Sequence, residues 1–164
     1  MKTLYLHRHA KSSWDHEYLT DFERPLNRRG LRDAPESGKK LAARGEKIDV
    51  FISSPAERAI TTARAVVEAL GVSEMEIAEE QSLYLPAVHS ILNVVNSIDD
   101  KFGSAMLFGH NPGFSEAVGY FTGQHTDNLP TAGVVKIEFP FDSWKLVSAQ
   151  TGALIFIDFP KNAN

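Results

Sequence analysis

The sequence predicts an α/β fold: a three-layer α/β/α sandwich built on a mainly parallel, mixed sheet. Three observations predict it. Short apolar runs of strand length alternate with longer stretches of helical periodicity over the first two thirds of the chain. The connections between them are short and marked by Gly, Pro, Asn and Ser. The last third is extended throughout, so at least one antiparallel strand is expected.

The elements follow in order. Residues 2–7 read as a short strand that runs into a polar loop rich in Ser, Trp, Asp and His. Asn27 is placed to cap a helix that runs to about Arg44, with Leu31, Ala34, Leu41 and Ala42 as its apolar or small positions. Pro35 sits inside that helix, where a kink is expected, and Gly45 ends it. Asp49-Val50-Phe51-Ile52 is a compact run that fits a buried strand. Ser53-Ser54-Pro55 opens a strong helix from Ala56 to Leu70, closed by Gly71. Met75 to Ala78 is a short strand candidate, and Ala87 to Ile98 carries apolar residues at helical spacing. Ser104 to Phe108 is a further buried strand. Gly109-His110-Asn111-Pro112-Gly113 leads into a helix that reaches Phe121. Gly133–Phe139, Trp144–Gln150 and Ala153–Phe159 read as extended. No repeat, low-complexity tract or linker interrupts residues 1–164, which are expected to form one domain.

Composition narrows the function classes. The net charge of -4 argues against nucleic acid and anionic membranes as partners. The chain has no cysteine, which excludes disulfides, thiolate metal sites and cysteine nucleophiles. No apolar run reaches the length of a membrane span, and the first residues lack the pattern of a signal peptide, so a cytoplasmic location is expected.

In α/β sheets, ligands bind outside the carboxyl ends of the strands. Three predicted strands end in polar clusters: Arg8-His9, Ser53-Ser54 leading to Arg58, and Gly109-His110. Two arginines and two histidines, with no balancing carboxylate beside them, suit a dianion. Guanidinium forks match phosphoryl oxygens, and the helix start after Ser54-Pro55 adds backbone donors. A neutral imidazole in such a cage is a competent nucleophile toward phosphorus, and the neighbouring cations favour its neutral form.

At these residues the chain resembles a known family. Leu6-His7-Arg8-His9-Ala10-Lys11 is similar to the Arg-His-Gly signature of the histidine phosphatase superfamily (phosphoglycerate mutase-like), with Ala10 in place of Gly. The stretch from Ser53 to Ala63 resembles its second arginine block, and Gly109 to Gly113 its second histidine block. Asp21 to Gly30 further resembles the phosphohistidine phosphatase branch, of SixA type. The resemblance implies a metal-independent phosphatase with no cofactor. His9 would be transiently phosphorylated, with Arg8, Arg58 and His110 binding the transferring group. Asp21 and Arg24 would line the pocket mouth as substrate-binding residues, the competing reading being a local salt bridge with Arg28 or Arg29. The implied partner is a phosphorylated protein carrying phosphohistidine, or a small phosphorylated molecule.

One departure stands out. Phosphomutase-like members carry a general-acid glutamate in the segment that corresponds to Ser82-Leu83-Tyr84-Leu85-Pro86, and that position holds Leu85. Glu79 and Glu80 lie nearby and read as a solvated turn. An alkoxide leaving group needs a proton, whereas an imidazole leaves with less help, so the departure fits a phosphoramidate substrate. Asp21 or His110 could supply a proton instead.

Two other function classes compete. His7-Arg8-His9 is an H-x-H at a strand end, a pattern that binds zinc in metal-dependent hydrolases. A non-catalytic binder of phosphorylated ligands would keep the arginines but has no need of both histidines. Trp14, Trp144 and the phenylalanines are expected in the core or pocket wall, and His16, His89 and His125 receive no role.

Overall fold

The structure is a computed structural model and describes residues 1–160. One six-stranded sheet forms its centre. In chain order the main elements are β1 (Lys2–Arg8), α1 (Arg28–Ala43), β2 (Val50–Ser53), α2 (Glu57–Ala69), β3 (Ile77–Glu79), α3 (Val88–Asn96), β4 (Ser104–Gly109), α4 (Gly113–Thr122), β5 (Val134–Phe139) and β6 (Ala153–Asp158). The strands lie in the order β3-β2-β4-β1-β5-β6. β1 to β4 are mutually parallel, and β5 runs antiparallel to both of its neighbours, β1 and β6. The sheet is therefore mainly parallel and mixed, as expected.

Alternation along the central strands feeds two cores. Leu4, Leu6 and Leu107 pack with Ile91, Val95, Phe114 and Val118 beneath α3 and α4. Tyr5, Met106, Phe108 and Phe51 pack with Leu41, Ala63, Val66 and Val67 of α1 and α2 on the opposite face. Both faces of β4 are covered and every residue of it is buried, which is why it reads as a continuous apolar run. Each such side chain contributes roughly 1.5–3 kcal/mol through burial.

Local signals set the helix ends. The Asn27 side chain accepts the Gly30 amide, and Gly45 closes α1 in the left-handed region at φ 75°. α1 continues through Pro35 without a break. The carbonyl released by the missing N–H belongs to Leu31, an exposed residue, so solvent can satisfy it.

One expected extended stretch is different. Trp144–Leu146 forms a 3-10 turn and the residues after it form a turn, so Trp144–Gln150 contains no strand. Its apolar residues Trp144 and Val147 are three apart and both enter the α3/α4 core. The Trp144 indole donates to the Phe102 carbonyl at 2.8 Å.

Candidate active site

The strand order places the three polar clusters together. β4 lies between β2 and β1, with Ser53 opposite Phe108 and Arg8 opposite Gly109. The parallel ladder continues one residue past the strand ends: the His9 amide donates to Gly109 O at 3.0 Å, and the Ser54 amide to Phe108 O at 2.9 Å. His9, Ser54 and His110 thus leave the sheet at one level. The His9 and His110 rings stand 5.2 Å apart between centroids.

His9 is almost fully buried. Its Nδ1 lies 2.7 Å from Ala10 O, and a carbonyl only accepts, so Nδ1 carries the proton and Nε2 keeps its lone pair. Nε2 has no hydrogen-bond partner among the described residues. Burial lowers the imidazole pKa to about 3, and the charges of His110, Arg58 and Arg8 add to the effect, against the hydrogen bond to Ala10. The neutral form expected from neighbouring cations is present, but burial is the larger cause.

His110 is lowered to about 3 as well, by burial and then by Arg58. Its Nε2 lies 2.9 Å from Ser54 Oγ, which also accepts the Ala56 amide at 3.2 Å. The hydroxyl has a proton to donate to Nε2, and in that tautomer the ring proton lies on Nδ1. Among the described residues, His110 Nδ1 and Arg8 Nε are buried polar atoms with no hydrogen-bond partner. Arg8 Nη1 is anchored on Leu129 O at 2.7 Å, a carbonyl that the Asn111 amide group also reaches, at 3.0 Å.

The expectation of cations without a carboxylate is corrected here. Arg58 donates from Nη1 to Asp21 O at 2.7 Å and from Nη2 to Asp21 Oδ2 at 2.9 Å. Arg24 donates from Nη1 to Asp21 Oδ1 at 2.9 Å. Burial raises the Asp21 pKa, but hydrogen bonds from Tyr84, Arg58 and Arg24 outweigh it and hold the carboxyl at about 2. Three guanidinium charges against one carboxylate leave a net +2 around the site, matched to a dianion. Arg28 and Arg29 do not pair with Asp21; Arg29 reaches Asp33 instead.

Arg24 is buried and organises the loop after His9. It donates to Ser13 O at 3.0 Å and to Ser12 Oγ. Trp14, expected in core or pocket wall, lies 74% exposed over the Arg24 guanidinium, 3.3 Å from Cζ to the ring centre. These residues flank a groove of about 360 Å³ lined by Trp14, His16, Glu17, Leu19, Asp21 and Arg24. Trp144, by contrast, is in the core.

The H-x-H pair does not converge. His7 uses both ring nitrogens, Nδ1 with Arg8 O at 2.9 Å and Nε2 with Ser37 Oγ at 2.7 Å, and stacks on Phe108. No group of three or more His, Asp or Glu side chains is placed to hold a metal among the described residues. Leu85, at the expected acid position, is 54% exposed. The residue beside it turns inward: Tyr84 donates to Asp21 Oδ2 at 2.5 Å, and its ring meets His110 edge-on at 5.4 Å. Glu79 is exposed, and Glu80 accepts from Ser82 Oγ. The sequence pattern places Ser54 at the strand-end cluster but gives neither it nor Tyr84 a role. The signal for Ser54 was its place at a strand end, and for Tyr84 its place next to the position of the missing acid.

Comparison with known proteins finds relatives in sequence and fold. The family profile of the histidine phosphatase superfamily (branch 1) matches residues 4–83. A 2,3-bisphosphoglycerate-dependent phosphoglycerate mutase from Bartonella tribocorum is 36% identical over 84 residues, covering 50% of this chain and 41% of that protein. The crystal structure of a candidate phosphohistidine phosphatase SixA from Agrobacterium tumefaciens superposes with a TM-score of 0.81 at 25% identity, over 97% of this chain and 98% of the other. A protein histidine phosphatase SixA complexed with tungstate shares the fold, with a TM-score of 0.83 at 17% identity and 99% coverage of both chains. Residues 4–83 thus resemble the histidine phosphatase superfamily, and the chain as a whole has the phosphoglycerate mutase-like fold of the SixA structures.

Proposed function

We propose that this chain is a phosphatase that works through phosphorylation of His9 and that its substrate is a phosphohistidine carried by a protein. The observation that carries the reading is His9 itself: a buried, neutral imidazole with Nδ1 tied to Ala10 O, so that the Nε2 lone pair is the reactive one, flanked by Arg8, Arg58 and His110. Nε2 attacks phosphorus, the P–N bond to the substrate imidazole breaks, and the leaving nitrogen keeps the electron pair and takes a proton. Water then attacks phosphorus on His9, gives up a proton, and releases phosphate and the free imidazole. Arg8, Arg58 and the Nδ1 proton of His110 stabilise the charge on the transferring oxygens. Asp21 and Arg24 hold Arg58 and the loop that faces the rest of the substrate.

The absence of a carboxylic acid at position 85 favours a leaving group that departs with modest help, and an imidazole is one. The likeness to SixA structures points the same way. A second reading, a small phosphorylated metabolite as substrate, is favoured by the groove of about 360 Å³ beside Arg24, a volume that suits a small ligand. A cytoplasmic location belongs to the same proposal and rests on the cysteine-free, acidic composition.

The test is phosphate release from a protein phosphorylated on histidine, compared with phosphorylated metabolites and a nitrophenyl phosphate. Wild type should release phosphate and carry an acid-labile phosphoryl group on His9 by mass spectrometry. His9→Ala should abolish both while keeping the far-UV spectrum. Turnover by His9→Ala near the wild-type rate would refute the nucleophile. Inactivity of wild type on every substrate would point to a binding protein instead.

A further inference from the structure

The mechanism above leaves one proton without a source. As the bond from phosphorus to the leaving atom breaks, that atom must be protonated, and the groups first considered for the task are poorly suited. Asp21 is ionised, its carboxyl held at about 2 by Tyr84, Arg58 and Arg24. His110 is neutral, so its Nδ1 proton belongs to an imidazole rather than an imidazolium and serves as a hydrogen-bond donor. Glu79 is the exposed last residue of β3, not part of a turn, and Glu80 just after it accepts from Ser82 Oγ.

Tyr84 is different. The backbone reverses just after it, with Leu85 in the left-handed region at φ 44°. The following residue is pressed against the start of α4: a Cβ on Gly113 would meet Pro86 O at 2.2 Å. This turn sends Leu85 to solvent and leaves Tyr84 against the site. Its ring is held edge-on by Phe22 at 5.1 Å and by His110 at 5.4 Å. Its hydroxyl donates to Asp21 Oδ2, the oxygen that also receives Arg58 Nη2 at 2.9 Å. A titratable O–H therefore sits one carboxylate oxygen away from the arginine that grips the phosphoryl group.

We propose that Tyr84 is the proton donor to the leaving group, in the place of the carboxylic acid that position 85 lacks. The inference rests on the phosphatase reading and adds a residue to it. In the first half-reaction the hydroxyl turns from Asp21 Oδ2 to the leaving nitrogen or oxygen. The bond to phosphorus breaks, the leaving atom keeps the electron pair, and it takes the Tyr84 proton. The phenolate is left beside the Arg58 guanidinium. In the second half-reaction the phenolate removes a proton from the water that attacks phosphorus on His9, and the phenol is restored. Burial and the Asp21 carboxylate raise the phenol pKa, while Arg58 opposes them, so the group stays protonated and ready at neutral pH. A phenol is a weaker acid than a carboxylic acid. It matches an imidazole leaving group, which needs less help than an alkoxide.

The experiment is a rate series, kcat/KM for phosphohistidine protein and for phosphate monoesters from nitrophenyl to simple alkyl, in wild type and Tyr84→Phe. Phenylalanine keeps the ring contacts, and matched thermal melts establish that the variant is folded. Loss of a general acid costs about 10²–10⁴-fold, so Tyr84→Phe should lose at least about 10²-fold on alkyl phosphates and progressively smaller factors on phosphohistidine and nitrophenyl phosphate, the loss growing with the leaving-group pKa. The dependence on leaving-group pKa should steepen. Placing a fluorinated, more acidic tyrosine at position 84 should move the alkaline limb of the pH profile to lower pH. A uniform loss across the series would mean that Tyr84 only positions Asp21 and Arg58, and would overturn the proposal. So would an unchanged slope, or an alkaline limb that ignores fluorination. A wild type that releases no phosphate even from nitrophenyl phosphate would instead refute the phosphatase reading.

Discussion

Lowering the pH from about 7.5 to about 5.5 should destabilise the fold by about 4 kcal/mol, a large part of the 5–15 kcal/mol typical of a folded protein. The source is three buried histidines. His7 is lowered to about 4, chiefly by burial, and His9 and His110 to about 3. All three folded values lie below the ordinary 6.5, so the unfolded chain takes up protons first as the pH falls. Stability from this source is complete above 6.5 and drains away as the pH drops toward 3–4. Each histidine contributes about 1.4 kcal/mol per pH unit in that window, and the three together about 4 kcal/mol. Urea unfolding at the two pH values measures the difference directly, with the slope m as a check that the surface exposed is unchanged. His7→Gln removes one titrating group away from the reacting atoms and should flatten the dependence by about a third. A midpoint that stays constant between the two pH values would refute the burial argument and, with it, the neutral state assigned to His9. A further consequence is that activity on the acid side should fail with unfolding, because the nucleophile itself is protonated only near pH 3.

Other perturbations test the clamp and its support. Arg58→Ala should lower kcat by about 10²–10³, the usual cost of removing one preorganised donor from a transition state. Arg24→Ala should raise KM more than it lowers kcat, because Arg24 holds the loop and Asp21 rather than the phosphoryl group; equal losses in kcat for both would show that Arg24 grips phosphate too. Gly30→Ala should lower both activity and melting temperature, because the new Cβ would lie 2.2 Å from the Lys11 carbonyl beside the nucleophile loop; wild-type behaviour would mean that this close approach relaxes freely. Exhaustive dialysis against EDTA should leave phosphate release unchanged, and rescue by a divalent ion would revive the metal-dependent reading.

Local physics explains what could be read from the sequence. Asn27, Gly45 and Gly71 mark helix ends through rules that act over a few residues, and the elements they bound were legible. The convergence of Arg8-His9, Ser54 and His110 followed from a rule about strand ends, and the order β2-β4-β1 brings them to one edge. What escaped were contacts across long separations. Asp21 meets Arg58 over 37 residues, and Tyr84 meets Asp21 over 63, so neither pairing leaves a periodic trace. Trp14 reads as core because tryptophan usually is; here a buried arginine offers its ring a polar seat instead. Trp144 and Val147 read as strand because apolar residues three apart look much alike in a short turn and a short extended run.

One hydroxyl ties the nucleophile to the clamp. Thr62 Oγ1 donates to Arg58 O at 2.7 Å and accepts the Ala10 amide at 3.0 Å. The loop that carries His9 and the first turn of α2 are thereby fastened at a single buried point. If α2 shifts as the substrate enters, attacking nitrogen and guanidinium travel in lockstep, and their spacing survives a motion that would spoil it in an untied loop. Thr62 touches neither phosphate nor leaving group, yet it guards the alignment on which in-line transfer depends.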